Sequence, residues 1–410
     1  MLHRLLPLIA VVLSARPTLA EDQRDVAPAA TLLSARCLAC HDADGPAPLR
    51  FDSPDAVLRH RRLMRALIAD RSMPPASVET SLRQLPSAAV VQHAIDERER
   101  EALLAALSSD DSARVAFASI KPNAPKPRAM DCPRVQAAAA WTVPAVGGMR
   151  IRSFHAPLTS GAPTRIRGWR MVVQGDPARS PIRFMSFAAD PARAWRIMDD
   201  GSGAESMGDI GPIPSGALGA LSRTAPEFLL PDGFAFELPP GDVVIETTVE
   251  PIGREALLRP MIDLIPSTDR STCIVSAVSA RIVPLQVGAG ERVERVVAVD
   301  VGGATRLVGI VAKGGAYLRG FLVETVAPDG CRTVVARDRD FRMNLTAPVV
   351  FRDPLAIEAG STIEVRFDLD NTRENPLQPF DPPRPLSAGL PPNGEDAAVV
   401  LLLAPAESGR

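Results

Sequence analysis

The chain is poor in the residues that most often mark a function. Its 410 residues include one tyrosine, three tryptophans, five histidines and five cysteines. Lysine and arginine (46) nearly balance aspartate and glutamate (48), and the signs are interspersed. There is no basic stripe interleaved with aromatics, as nucleic acid requires, and no polybasic membrane patch. No apolar run reaches the ~20 residues of a membrane span, so no span is expected in the mature chain. With 40 prolines and 28 glycines, a long helical architecture is excluded as well.

What is present begins with His3 and Arg4, an apolar run from Leu5 to Leu13, and Thr18-Leu19-Ala20 before Glu21-Asp22. This reads as a secretory signal over residues 1–20, and it predicts a periplasmic or secreted protein. From Thr31 to Leu107 the texture is helical and rich in Arg, Ala and Leu. Beyond Trp141 it becomes short Val/Ile/Leu runs broken by Pro, Gly and Asp. Between them, Ile120 to Pro133 carries four prolines and reads as a linker. The expected organisation is a helical domain over 21–119, a linker over 120–133, and two β-sandwiches over 134–285 and 286–410.

The most specific signal is "CLACHDADGPAP", residues 37–48. Cys37-x-x-Cys40-His41 is the attachment pattern of a c-type haem, in which two thiols add to the porphyrin vinyl groups and the adjacent histidine ligates iron. A redox disulfide would need a βαβ setting, and a zinc site a second ligand pair; neither is visible. One covalent haem c is therefore expected. For the sixth ligand Met73 is the candidate, in "RSMPPAS", where Pro74 and Pro75 end a helix running from Pro54 to Ala69. Its rivals are Met64, at core-filling helical spacing, and His60, among Arg59, Arg61 and Arg62. A last helix is expected from about Ser87 to Leu107, with His93 on its surface.

With Gly45-Pro46-Ala47-Pro48 and Arg71-Ser72-Met73-Pro74-Pro75, this part resembles a class of monohaem c-type cytochrome domains over about 80 residues. That class usually has tryptophan where Ala76 stands. A second resemblance rests on Asp370-Asn371-Thr372, Asn375-Pro376 and Pro382-Pro383 within Phe367 to Leu403. It looks like the C-terminal jelly roll of the type II, ascorbate-dependent copper monooxygenases, the peptidylglycine and dopamine hydroxylase fold, to which such cytochrome domains are often fused. Together the two resemblances imply a multidomain fold: a small all-α cytochrome c domain followed by an all-β pair of jelly-roll sandwiches.

The copper ligands that this second resemblance implies fall on other residues. Arg183, Phe184 and Thr248 take the places of the first copper's histidines, with Met185 retained beside them. Gly315, Tyr317 and Ala397 take those of the second copper's two histidines and methionine. Of five histidines only His155 lies in the β region, and a lone histidine there makes neither an imidazole-rich copper site nor a convincing catalytic triad. Copper is not expected. Asp368 and Asp370, two apart on a strand, read as turn or network residues. Cys132, Cys273 and Cys331 permit at most one disulfide, and Cys132 with Cys273 is the pairing to examine.

The expected protein is an exported electron carrier with a redox protein partner and a copper-free β module for docking. The competing readings are a copper monooxygenase with relocated ligands and a haem enzyme with an open sixth position.

Overall fold

The computed structural model describes residues 28–41, 49–70, 73, 78, 80, 95, 97–120, 132–158, 160–173, 180–194, 196, 203–205, 217–222, 225–268, 273–342, 347–389 and 394–406. Residues 1–20, the Gly45–Pro48 turn, Pro74 to Ala76, His93 and most of the Pro-rich linker lie outside them.

Five helices are described: α1 (Ala29–Arg36), α2 (Leu38–His41), α3 (Pro54–Ala69), α4 (Glu97–Ala106) and α5 (Asp110–Ala116). α3 takes the expected bounds. Pro54 occupies its first turn, where no N–H is needed, and the Ser53 hydroxyl accepts from Ala56 N at 3.3 Å. The helices enclose Leu33, Leu38, Val57, Met64, Ile68, Leu103, Leu107 and Phe117.

The rest is β. A five-stranded sheet runs Ala204–Glu205, Arg150–Pro157, Asp242–Val249, Ile182–Asp190, Ala217–Ser222. It faces a six-stranded sheet built on Met261–Pro266, Thr164–Val172 and Phe234–Leu238. Further along come a four-stranded sheet, Ser276–Arg281, Ala398–Pro405, Thr305–Lys313, Val349–Ile357, and another, Arg292–Asp300, Thr362–Asp370, Leu318–Val326, Arg332–Asp338. Ser276–Arg281 pairs with Ala398–Pro405, so the second β unit takes in residues ahead of the division expected at 285.

These facts correct the expected fold class. The chain is mostly β, and its parts are not a small all-α cytochrome c domain followed by an independent pair of jelly-roll sandwiches. The strand Ala398–Pro405 turns Val400, Leu402 and Ala404 into one core, shared with Phe187, Phe228 and Ile245 of the first unit. It turns Val399 and Leu401 into the other. This strand is thus buried on both faces, which is why "AAVVLLLA" reads as a continuous apolar run and not as an alternation. Nor is the helical segment a separate all-α domain. Val78 packs against the second unit's core, and the Thr80 hydroxyl donates to the Val335 carbonyl at 2.6 Å.

The cysteine pairing is corrected too. Cys132, Cys273 and Cys331 carry no disulfide, and Cys273 Sγ lies 3.1 Å from the Arg306 guanidinium.

Candidate functional site

Two sets of residues carry chemistry. The first lies at the junction of α1 and α2. Cys37 is the C-cap of α1, half-buried and without a disulfide, and His41 closes α2. Cys40 lies between them on α2, its side chain outside the described atoms. Nδ1 of His41 sits 2.7 Å from the carbonyl oxygen of Leu49. A carbonyl only accepts, so Nδ1 carries a proton, and in the neutral ring the lone pair is on Nε2. That is the orientation in which a metal-ligating histidine is fixed from behind by a backbone carbonyl, and the residues therefore fit a covalent haem. Phe51 stacks on the imidazole, ring centroids 4.3 Å apart and planes 19° from parallel.

Of the sixth-ligand candidates, Met64 is buried in the helical core. His60 lies half-buried with its ring 6.2 Å from Phe51. Met73 is half-buried just past α3, its N–H donating to the Leu67 carbonyl at 2.9 Å.

The second set lies where Glu246 of the first β unit meets Lys313 of the second, and the positions named by the copper resemblance divide between the two units. Phe184 and Thr248 are cross-strand partners, both buried. Arg183 Nε donates to Glu250 at 2.7 Å, and Met185 is core. His155 is half-buried opposite Val244. Two residues before Thr248, on the same face of the strand, Glu246 accepts from Lys313 Nζ at 2.7 Å and from the Ser186 hydroxyl at 3.3 Å. Lys313 also reaches Asp396 at 3.1 Å, and Asp396 pairs with Arg281 at 2.6 Å. Lys313 thus bridges the two units. Burial pushes its pKa down, but Glu246 and Asp396 outweigh that and raise it. Burial likewise pushes Asp396 up, and Lys313 and Arg281 overcome it, leaving its pKa lowered.

Next to this bridge, Gly315, Tyr317 and Ala397 border Glu395. Its Oε1 accepts from the N–H groups of Gly315 at 2.5 Å and Asp396 at 2.9 Å. Its Oε2 accepts from those of Tyr317 at 3.0 Å and Leu318 at 3.3 Å. A Cβ at Gly315 would meet these oxygens at 3.0 and 3.1 Å, so glycine is what admits the carboxylate. A buried phenylalanine and threonine, a lysine and a carboxylate saturated by N–H groups do not fit a copper site of this type. Among the described residues, no group of three or more His, Cys, Asp or Glu is placed to hold a metal ion.

The turn that carried the copper resemblance is structural. Asp370 Oδ1 accepts from Thr372 N at 2.9 Å, and Asn371 Nδ2 donates to the carbonyls of Gly288 and Arg384 at 2.8 and 2.7 Å. Asn375 Nδ2 donates to the Ala316 carbonyl at 3.0 Å. Asp368 is ion-paired with Arg292 on the exposed sheet face. Among the described residues no helix is long and apolar enough to cross a membrane.

No protein-family model matches the sequence, and no curated protein does. Among solved structures, the chain is similar to that of infectious bursal disease virus Gx strain, at 9% identity over 70% of this chain and 76% of that one, TM-score 0.21. It is similar to the major capsid protein P2 from bacteriophage PM2 at 10% identity, covering 68% and 100%, TM-score 0.24. It is also similar to the STIV MCP at 8% identity, covering 67% and 95%, TM-score 0.25. Likenesses this slight carry no argument about fold or function.

Proposed function

We propose that this chain is an exported c-type cytochrome that holds one covalent haem and passes single electrons to a redox protein. In this reading its β region resembles the type II copper monooxygenases without their copper ligands and serves to dock a partner or ligand. The observation that carries the reading is the Cys37-x-x-Cys40-His41 pattern, with His41 Nδ1 directed at the Leu49 carbonyl. Haem c supplies a reversible one-electron couple. Cys37 and Cys40 would anchor it by thioethers and His41 would ligate iron through Nε2. Met73 would supply a thioether as the other protein ligand, which favours the ferrous state.

Elemental and optical analysis of the exported protein tests this. One haem per chain is expected, copper no more than trace, with a near-infrared sulfur-to-iron band in the ferric form that disappears in Met73→Ala. A chain with stoichiometric copper, or with no haem, overturns the reading.

The partner's chemistry is suggested by α3. Arg59, Arg62 and Arg65 are exposed there around Leu63, with no carboxylate partner among the described residues. On the second unit's exposed sheet, by contrast, Arg292, Arg332 and Arg366 each hold a carboxylate. Unneutralised charge of one sign steers an oppositely charged partner and is screened by salt. Electron transfer to an acidic partner protein is expected to slow roughly tenfold in Arg62→Glu/Arg65→Glu at low salt, with the difference closing at high salt. Equal rates at every salt concentration would remove α3 as the docking face.

A further inference from the structure

We propose that Thr80 is a positioning residue for Met73, so that the second β unit holds the sixth ligand of the haem iron in place. The inference rests on the cytochrome reading above and adds a role for the β region within it.

Among the described residues the strand Arg332–Asp338 lies at the edge of its sheet, paired with Leu318–Val326. In that pairing Val323 is opposite Ala336 and Glu324 is opposite Val334, so Val335 is the extra residue of a bulge. A bulged residue is left out of the ladder, yet Val335 is fully buried. A buried carbonyl requires a donor, and the Thr80 hydroxyl supplies one at 2.6 Å. Val78, two residues earlier, packs against the same core. The contact is thus specific, because a defect in one element is satisfied by a side chain from another that is 255 positions away.

Thr80 follows Met73 by seven positions. On its other side Met73 is tied to α3 through the bond from its N–H to the Leu67 carbonyl. The sulfur-bearing residue therefore stands between two attachments, one on the helix that flanks His41's partner Phe51 and one on the β edge. Loss of the second attachment leaves Val78 as the other described contact of this stretch with the β unit. An axial thioether keeps its place only while its backbone is held, because the bond from sulfur to iron competes with the chain's freedom. The β region then has a role in the haem-binding segment itself, since it holds the chain that follows the sulfur-bearing residue.

The test uses the full-length holoprotein. Thr80→Val removes the hydroxyl at nearly constant volume, and Thr80→Ser keeps it. Val78→Ala weakens the same attachment by a different route, should the valine variant fail to fold. The ferric sulfur-to-iron band, the reduction potential and carbon monoxide binding by the ferrous form are read together. Thr80→Val and Val78→Ala are expected to lose about half or more of the band, to shift the potential downward, and to bind carbon monoxide that wild type excludes. Thr80→Ser should match wild type. If the wild type has the band and both weakening variants keep it, with an unchanged potential and no carbon monoxide binding, the inference is overturned and the cytochrome reading stands. A haem-loaded wild type without the band overturns Met73 as ligand and the inference with it.

Discussion

Lys313→Met is expected to destabilise the protein by about 3–5 kcal/mol, the range for removing one partner of a buried ion pair. The lysine is the only cation that contacts both Glu246 and Asp396 among the described ion pairs, at 2.7 and 3.1 Å. Methionine fills much of the same volume, so the loss is electrostatic. It takes from buried Glu246 the cation it shares with Asp396 and leaves Asp396 with Arg281 as its described ion-pair partner. The effect should be read as a lower urea midpoint at unchanged slope. Adding Glu246→Gln to Lys313→Met should restore a good part of the loss, because a neutral amide is cheaper to bury than an unpaired carboxylate. Simple additivity of the two changes would mean that the pair is not coupled.

The same bridge has a defined pH window. The Lys313 pKa is raised above 10.5, so its contribution is complete below that value and is lost as pH rises through the raised one. The Asp396 pKa is lowered below 3.8, so its contribution is complete above 3.8 and is lost as pH falls through the lowered one. Between the two the contributions of Lys313 and Asp396 do not change with pH. A change in stability inside that interval must come from another group.

How much of this was legible beforehand varies with the range of the interaction. Cys37, Cys40 and His41 are contiguous, and α3 announces both ends with Ser53-Pro54 and the residues after Ala69, so local chemistry placed them. The β texture was equally plain. The layering was not, because period-2 patterning tells which side chains share a face but not which faces share a core. Residues 398–405 belong to two cores at once, and a continuous apolar run does not say what lies on either side. The bridge stayed hidden for the same reason. Lys313 precedes Gly314-Gly315, and Glu395-Asp396 precede an apolar strand, positions that ordinarily mark a solvated strand end. Register places Arg281 and Lys313 on either side of Ala398, and only the docking of the first unit buries them. The positions that the copper resemblance implies hold no imidazole, and that alone does not say what surrounds them: a salt bridge across the units and a carboxylate enclosed by peptide groups.

That carboxylate makes the second large effect. Burial raises the Glu395 pKa to about 7, against the opposing pull of the N–H groups of Gly315, Tyr317 and Asp396 and with a further push upward from the Asp396 charge. In the unfolded chain the group titrates near 4.5. A raised pKa means that the folded state holds a proton the unfolded state has released. The associated stability is complete below 4.5 and is lost as pH rises through 7. The difference corresponds to on the order of 3 kcal/mol. Glu395→Gln isolates this effect because it has no proton to lose. A glutamine and a protonated glutamate also meet the same difficulty, since in each one terminal group carries hydrogen toward N–H donors. At pH 4.5 the two proteins should therefore differ little. Between pH 4.5 and 8 the variant should gain on wild type by on the order of 3 kcal/mol, measured by urea unfolding at each pH. A constant difference across the series would show that Glu395 ionises alike in both states, which would mean that the four peptide groups fully offset its burial. A wild type that instead gains on the variant with rising pH would show that they more than offset it, making the ionised carboxylate the form the fold favours.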